Sequence, residues 1–419
     1  MKAARVILGS SFGDEGKGLC VDHYSHENIS AGRDVLVVRQ NSGAQAGHSV
    51  QLPSGHRHVF HHFGSGSLAG ASTYLSRFFI CNPILFWKEQ AELTLLTQIP
   101  PVYVHPDCLI STPWDMIINQ SLEDARGITR HGSCGVGINE TVDRSAHPEF
   151  CILFSDILRG DFEHKLNRIY RDWVPKRFAH HGVIPTDLLA ELSQSYEVFS
   201  QYVDDAKRFA YYVEPHDELP LDADIILEGA QGLLLDQRHE WFPHVTRSST
   251  GLTNVLELMP ELQIDHLDIT YVTRFYATRH GAGPMPWETI GGEYNRLPDL
   301  TNQPHDYQGV LRHGLLDLDL LAKTIQADLA KAPDGVIRST QLLITHMDQM
   351  GLLKGDPSWV EDGKVITGSG QLLVTQAVVR TDLDEIQLSF GPTRDTIVDC
   401  TDFDRSDMDE LIEDNCTGR

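Results

Sequence analysis

The stretch ARVILGSSFGDEGKGLCVDHY, Ala4 to Tyr24, decides the reading of the fold. Ala4 to Leu8 is a short apolar run stopped by Gly9-Ser10-Ser11, the pattern of a buried strand that ends in a loop. After GDEGKG, Gly13 to Gly18, the residues Leu19 to Tyr24 open a helix, so the glycine-rich segment lies where a strand hands over to a helix N-terminus. Such a terminus presents unpaired N–H groups and binds phosphate. A Walker loop would need glycine where Ser11 stands and a hydroxyl residue where Gly18 stands, so the ordinary P-loop is excluded. What remains is a turn with one cation, Lys17, and two carboxylates, Asp14 and Glu15, which are unwelcome beside phosphate unless a metal or a proton transfer uses them. The plainer alternative is a charged turn whose glycines serve tight geometry.

Working outward, Val35 to Val38, Ile225 to Leu227, Ile269 to Tyr271 and Leu342 to Ile344 are further apolar runs, each followed at once by polar or glycine residues. That is the habit of a parallel sheet whose strand ends carry the chemistry. The expected fold class is α/β: a large single domain, residues 1–419, around a mostly parallel twisted sheet. Between about 154 and 213 the spacing of Phe199, Tyr202, Val203, Ala206, Phe209 and Ala210 predicts a mainly helical insertion. The tail from Asp399 to Asp414 holds eight acids against Arg405 alone, and reads as a solvated, partly helical surface.

The chain has 419 residues, 41% hydrophobic and 22% charged, too apolar for intrinsic disorder. Its formal charge of −25 argues against a nucleic-acid or anionic-membrane surface, so any anionic ligand must be held by local positive groups. Seven scattered cysteines without a CxxC pair fit a reducing compartment, and no apolar run approaches a membrane span, which predicts a cytoplasmic protein.

Further clusters follow the other strands. SGAQAGHSV places Gly47 and His48 after the run ending at Val38; EGAQG, Glu228 to Gly232, follows Leu227; TRHGAGP, Thr278 to Pro284, THMD, Thr345 to Asp348, and SFGPTRDT, Ser389 to Thr396, complete the series. A lone His is more often a satisfied polar residue than a catalyst. Taken in order, however, Gly13 to Gly18, Ala46 to His48, Glu228 to Gly232, Phe242 to Thr246, Arg279 to Pro284 and Gly391 to Arg394 resemble the motifs of adenylosuccinate synthetase across most of the chain.

The resemblance implies a homodimeric α/β ligase that condenses L-aspartate with a 6-oxo purine nucleoside monophosphate, using Mg²⁺ and a triphosphate, GTP or ATP. Oxide is a poor leaving group, so O6 is first phosphorylated and phosphate is then displaced by the amine of aspartate; the first step needs a base for N1–H and a partner for the moving phosphoryl group. It implies Asp14 as base and Mg²⁺ ligand, His48 as phosphoryl partner, Gln231 as a catalytic hydrogen-bonding partner of the purine, and the Gly47 carbonyl as the second Mg²⁺ ligand. The triphosphate would meet Glu15, Gly16, Lys17, Gly18, Gly47, His346, Asp348, Ser389 and Gly391. The monophosphate would meet Ser11, Gln45, Ser133, Cys134, Arg144, Gln231, Thr246 and Gly281, with Arg144 reaching the phosphate of the neighbouring subunit; the alternative for Arg144 is a surface salt bridge. Arg279 and Arg312 would serve aspartate.

Several positions depart from the family pattern. Ser11, Phe12 and Gln45 stand for Gln, Trp and Asn; Cys134 stands for Thr, a weaker donor; GVLRHGLLD, Gly309 to Asp317, keeps only Arg312 of an arginine-rich stretch; and His346 replaces the Lys of TKLD. This combination resembles the viral 2-aminoadenylosuccinate synthetase branch, which uses dGMP, although many of that branch carry a small hydroxyl residue at the position of Asp14. The expected substrate is therefore dGMP ahead of IMP. A GTP-dependent switch protein would need a Walker hydroxyl after Lys17 and an NKxD, and Gly18 and THMD deny both. His56, His58, His61 and His62 fall on a predicted strand pair rather than in a metal-ligand motif.

Overall fold

The computed structural model describes residues 1–127, 130, 132–299, 301–302 and 309–416. Its centre is a nine-stranded sheet in the order Ile397–Asp399, Glu385–Ser389, Ile337–Thr345, His266–Arg274, Ala3–Gly9, Asp224–Gly232, Val35–Arg39, Ser72–Leu75, Val102–Val104. Neighbours pair parallel except at the edge strand Ile397–Asp399, which runs antiparallel. The α/β class with a mostly parallel sheet is thus observed.

Ala3–Gly9 lies in the middle, with Val6 level with Ile269 on one side and Leu227 on the other. Val6, Ile7 and Leu8 are wholly buried, because helices cover both faces and leave no polar alternation in the strand. The loops that leave the carboxyl ends of Ala3–Gly9, Val35–Arg39, Asp224–Gly232, Ile337–Thr345 and Glu385–Ser389 gather along one edge of the sheet, where open α/β sheets bind ligands.

A smaller sheet of Tyr276–Arg279, Arg312–Asp317, Ser358–Glu361 and Lys364–Thr367 stands beside this edge. Residues 154–212 form five helices and a π turn, of which Tyr196–Tyr212 buries Tyr202, Val203, Ala206 and Phe209 in a core shared with Phe86 and Trp114. The helix Pro113–Arg126 begins with a capping box: Thr112 accepts from the Asp115 amide, and Asp115 accepts from the Thr112 amide. Among the described residues no helix is long and apolar enough to cross a membrane.

Candidate functional site

The loop after Ala3–Gly9 turns through Gly13 and Gly16, at φ 90° and 95°, into the helix Lys17–Ser30. Gly16 caps this helix without a side chain, so the first-turn amides stay available to an anion. Gly18 has a steric reason: a Cβ there would lie 2.9 Å from Ser49 O and 3.2 Å from His48 Cβ, leaving no room for the Walker hydroxyl. Glu15 turns inward, where its carboxylate accepts from the amides of Ser11 at 2.7 Å and Gly13 at 3.2 Å. Burial pushes Glu15 up to about 8, against the pull of Lys17, and burial also lowers Lys17. The loop therefore fills its upstream amides with its own carboxylate and leaves the downstream ones, at the helix start, for a ligand.

Four non-glycine residues at this edge take left-handed backbone: Asp14 (φ 57°), Gln231 (φ 58°), His346 (φ 62°) and Ser42 (φ 70°), the partner of Gln231. Strain of that kind persists where surrounding structure enforces it, and here it marks three predicted site positions. Arg274 fixes the first, its Nε donating to Asp14 O at 2.6 Å, while the Asp14 carboxylate stays partly exposed.

Two clefts open along the edge. One, of about 340 Å³, is lined by the loop from Asp14 to Gly18 together with His346, Asp348 and Gly391. The other, of about 650 Å³, is lined among others by Gln45, Ser133, Cys134, Gln231, Thr246 and Gly281. Asp14, Lys17, Gly47, His48, Thr301 and Asn302 line both, so the clefts meet at these six residues.

At that junction His48 Nδ1 lies 2.5 Å from Glu228 Oε1. Glu228 also accepts from the Ser65 amide at 3.0 Å and from the Ser65 hydroxyl, and sits 3.7 Å from the buried Arg39. Burial, reinforced by Arg39, holds His48 down to about 4; burial opposes the charge on Glu228, but Arg39 and His48 bring it to about 2. The resting pair is thus a carboxylate and a neutral imidazole that donates from Nδ1, which leaves Nε2 as the free ring nitrogen. Sequence reasoning misses Glu228 inside the EGAQG motif; a carboxylate at the end of an apolar strand is the signal that marks it.

Gln231 accepts from Ser42 Oγ at 3.0 Å through Oε1, and Ser42 Oγ in turn accepts from Gln45 Nε2 at 2.6 Å, so the two amides share one hydroxyl. Asn41 holds the bend behind Gln231 by pairing with Ala230 N and O and with Ser249 O. Ser133 donates to Asn119 Oδ1 at 3.1 Å, and burial raises the neighbouring Cys134 thiol. Burial pushes His346 well below the imidazole range and raises Asp348. Two residues that sequence reasoning passed over also face the wider cleft: His280, 3.9 Å from Asp14 Oδ2 and 3.0 Å from Asn302 Oδ1, and Lys88 on the helix Pro83–Thr94.

Four expectations are corrected. Arg144 is fully buried and spends its guanidinium on Asp115 and on the carbonyls of Phe150 and Ile110, so it reaches no neighbouring subunit and makes no surface salt bridge. Arg312 lies outside both cleft walls, ion-paired with Glu288 and donating to the carbonyls of Gly281 and Gly283. Ser11 faces a separate small hollow with Leu234 and Leu320, and Ser389 is buried, donating to Gly391 O at 3.0 Å. Arg279 does line the wider cleft, but its terminal nitrogens bind the carbonyls of Pro284, His244 and Ala282, and its guanidinium lies over Phe12, which stacks on Trp241 at 5.6 Å. His58 and Phe60 lie on the strand Arg57–Phe60, and His62 follows it with its Nδ1 3.2 Å from Glu89 Oε2.

The family model for adenylosuccinate synthetase matches residues 6–353. Curated relatives include the adenylosuccinate synthetase of Chromohalobacter salexigens, 29% identical over 319 residues, 72% of this chain and 68% of the relative. That of Psychrobacter sp. (strain PRwf-1) is 31% identical over 294 residues, 68% of this chain and 64% of the relative. The alignments thus span about two thirds of these relatives' length. Among solved structures, the fully ligated adenylosuccinate synthetase from Plasmodium falciparum superposes with a TM-score of 0.71 at 17% identity, covering 94% of this chain and 99% of the other. The cyanophage S-2L succinoaminodeoxyadenylate synthetase bound to dGMP and dATP gives 0.59 at 14% identity, covering 99% of each chain.

Proposed function

Because the chain belongs to the adenylosuccinate synthetase family of C–N ligases, which join aspartate to a purine nucleotide, we propose that it acts on dGMP in preference to IMP. The observation that carries the reading is the junction of two clefts at Asp14, Lys17, Gly47 and His48, since a phosphoryl group must pass between two nucleotides without meeting water. The triphosphate occupies the cleft with His346 and Asp348, and the monophosphate the cleft with Gln231 and Thr246.

Asp14 accepts the N1 proton, which makes O6 nucleophilic; O6 takes the γ-phosphoryl, with Lys17 and His48 beside the moving group; the aspartate amine then attacks C6 and phosphate leaves. Glu228 fixes the His48 ring through Nδ1, and Nε2 donates to the phosphoryl oxygens once it takes up a proton, which the incoming phosphate charge favours. The Asp14 carboxylate and the Gly47 carbonyl are hard oxygen donors on the wall common to both clefts and fit Mg²⁺, which when bound offsets phosphate charge.

Two observations support a deoxy-guanine acceptor. Arg312, the remaining arginine of Gly309 to Asp317, is engaged by Glu288 and loop carbonyls, so it offers nothing to a ribose 2′-hydroxyl. A solved neighbour with the same fold is described as bound to dGMP and dATP. The retained Asp14 and the curated relatives support the second reading, an enzyme acting on IMP. Either reading includes a cytoplasmic homodimer, in which Arg144 plays no part across the interface. Incubating the purified chain with aspartate, Mg²⁺ and each pairing of IMP, GMP or dGMP with ATP or GTP, while following succinyl-purine formation, tests function and substrates together. No product from any pairing would reject the reading.

A further inference from the structure

Away from both clefts, three chemistry-bearing side chains converge from distant parts of the chain. His105 follows the strand Val102–Val104, His216 opens the turn His216–Glu218, and Glu261 lies between the helix Leu252–Leu258 and the strand His266–Arg274. Each offers one ligand atom, and these atoms all lie within 4.8 Å of one another. His105 Nε2 and Glu261 Oε2 are 3.8 Å apart, and the two imidazole rings meet at 4.8 Å between centroids. We propose that His105, His216 and Glu261 form a binding site for a single Zn²⁺-type cation, separate from the Mg²⁺ position at the junction.

The donor set selects the class of ion. Two imidazoles and one carboxylate suit Zn²⁺ and its neighbours, whereas Mg²⁺ and Ca²⁺ prefer oxygen alone. Around Zn²⁺, with bonds of about 2.0–2.1 Å, tetrahedral ligand atoms sit about 3.3 Å apart, so separations of up to 4.8 Å must close by up to about 1.5 Å, shared among the three side chains. Three protein ligands on a half-buried surface leave the fourth position to water.

The surroundings supply an outer shell. The Tyr74 hydroxyl is 3.2 Å from His216 Nδ1 and donates to Glu261, so one phenol orients two ligands. Two features oppose the ion. Arg77 is ion-paired with Glu261 and competes for the carboxylate. His105 Nδ1 accepts the Asp107 amide at 2.9 Å, a bond given up when Nε2 coordinates.

The test titrates the metal-free chain with Zn²⁺ alone in calorimetry, and with Co²⁺ while recording visible absorption, both in excess Mg²⁺. The parent should show one site with the Co²⁺ bands of a four-coordinate mixed N/O environment. His216→Ala should weaken that site by at least about tenfold and abolish the bands. Thermal unfolding gives an independent reading: Zn²⁺ should raise the Tm of the parent and leave that of His216→Ala unchanged. Glu261→Gln repeats the test if circular dichroism shows His216→Ala misfolded. A parent without a site at 100-fold excess Zn²⁺, or a folded variant that binds as the parent does, would overturn the proposal.

Discussion

Arg144 and Asp115 are joined by two parallel contacts, Nε to Oδ1 at 2.9 Å and the terminal nitrogen to Oδ2 at 2.9 Å, with both side chains fully out of solvent. Asp115 also closes the capping box of Pro113–Arg126 and accepts from Thr141, so this ion pair ties the helix Ile138–Ser145 to the start of its neighbour. Arg144→Leu would leave a buried carboxylate uncompensated. It should cost about 3–5 kcal/mol of stability, read as a lower denaturation midpoint. A stable variant with a raised KM for the monophosphate would instead restore the arginine to the ligand.

At the junction, Asp14→Asn removes the proton acceptor and His48→Asn the phosphoryl partner. Each should lower turnover by about a hundredfold or more with the fold intact. Single-turnover formation of the nucleoside diphosphate is the measurement, and near-normal rates in either variant would remove the assignment.

The same histidine makes stability depend on pH. Its folded value of about 4 lies below the ordinary value of about 6.5, so the unfolded chain binds the extra proton and stability falls as pH drops through that window. At about 1.4 kcal/mol per unit, the loss approaches 3 kcal/mol between pH 6.5 and 4. Glu228, held at about 2, adds loss of the same sign below its ordinary carboxylate range. Urea midpoints measured across this range should flatten in His48→Asn; an equal slope in that variant would assign the effect elsewhere.

Donor choice rests on the other cleft. Asp348 can accept from N1–H and the 2-amino group of guanine but faces an acceptor in adenine, which favours GTP. His346 contacts Thr345 Oγ1 at 2.8 Å and meets Tyr276 edge-on, so it supplies no long alkyl stem over the base. ATP should therefore work, and a GTP preference above about a thousandfold would contradict this. His346→Lys should increase the preference.

For the acceptor, kcat/KM for dGMP, GMP, dIMP and IMP separates sugar from base. With Arg312 committed to Glu288, a ribose hydroxyl would lose water without gaining its partner, and 2′-deoxy should win by about 1–3 kcal/mol within each base. IMP as the best of the four would return the chain to the ordinary reaction.

The strands were legible because burial on both faces writes them as continuous apolar runs, and Ala4 to Leu8, Val35 to Val38 and Leu342 to Ile344 all fall within observed strands. The loops could be read for the same reason: each lies where such a run stops. Side-chain direction could not. Ser11 is one residue from Phe12, yet Phe12 lines the wide cleft as well as the small hollow while Ser11 reaches only the hollow, its amide held by the Glu15 carboxylate. The arginines misled for a related reason. Arg144 and Arg312 found their counter-charges, Asp115 and Glu288, across 29 and 24 residues of chain, partners that no local pattern announces.

In the sheet, the strands Val35–Arg39 and Asp224–Gly232 lie on one side of Ala3–Gly9 and carry the Gln45 and Gln231 wall, while Ile337–Thr345 and Glu385–Ser389 lie on the other and carry His346 and Gly391. Much of each nucleotide's wall thus comes from an opposite flank, although Arg279 to Ala282, beyond His266–Arg274, also border the Gln231 cleft. Substitutions on the two sides should combine additively, and a lineage can exchange its energy currency without retraining the pocket that recognises the product's precursor. The loop from Gly9 to Lys17, together with Gly47 and His48, is the hinge of this arrangement, where a change must answer to both ligands at once.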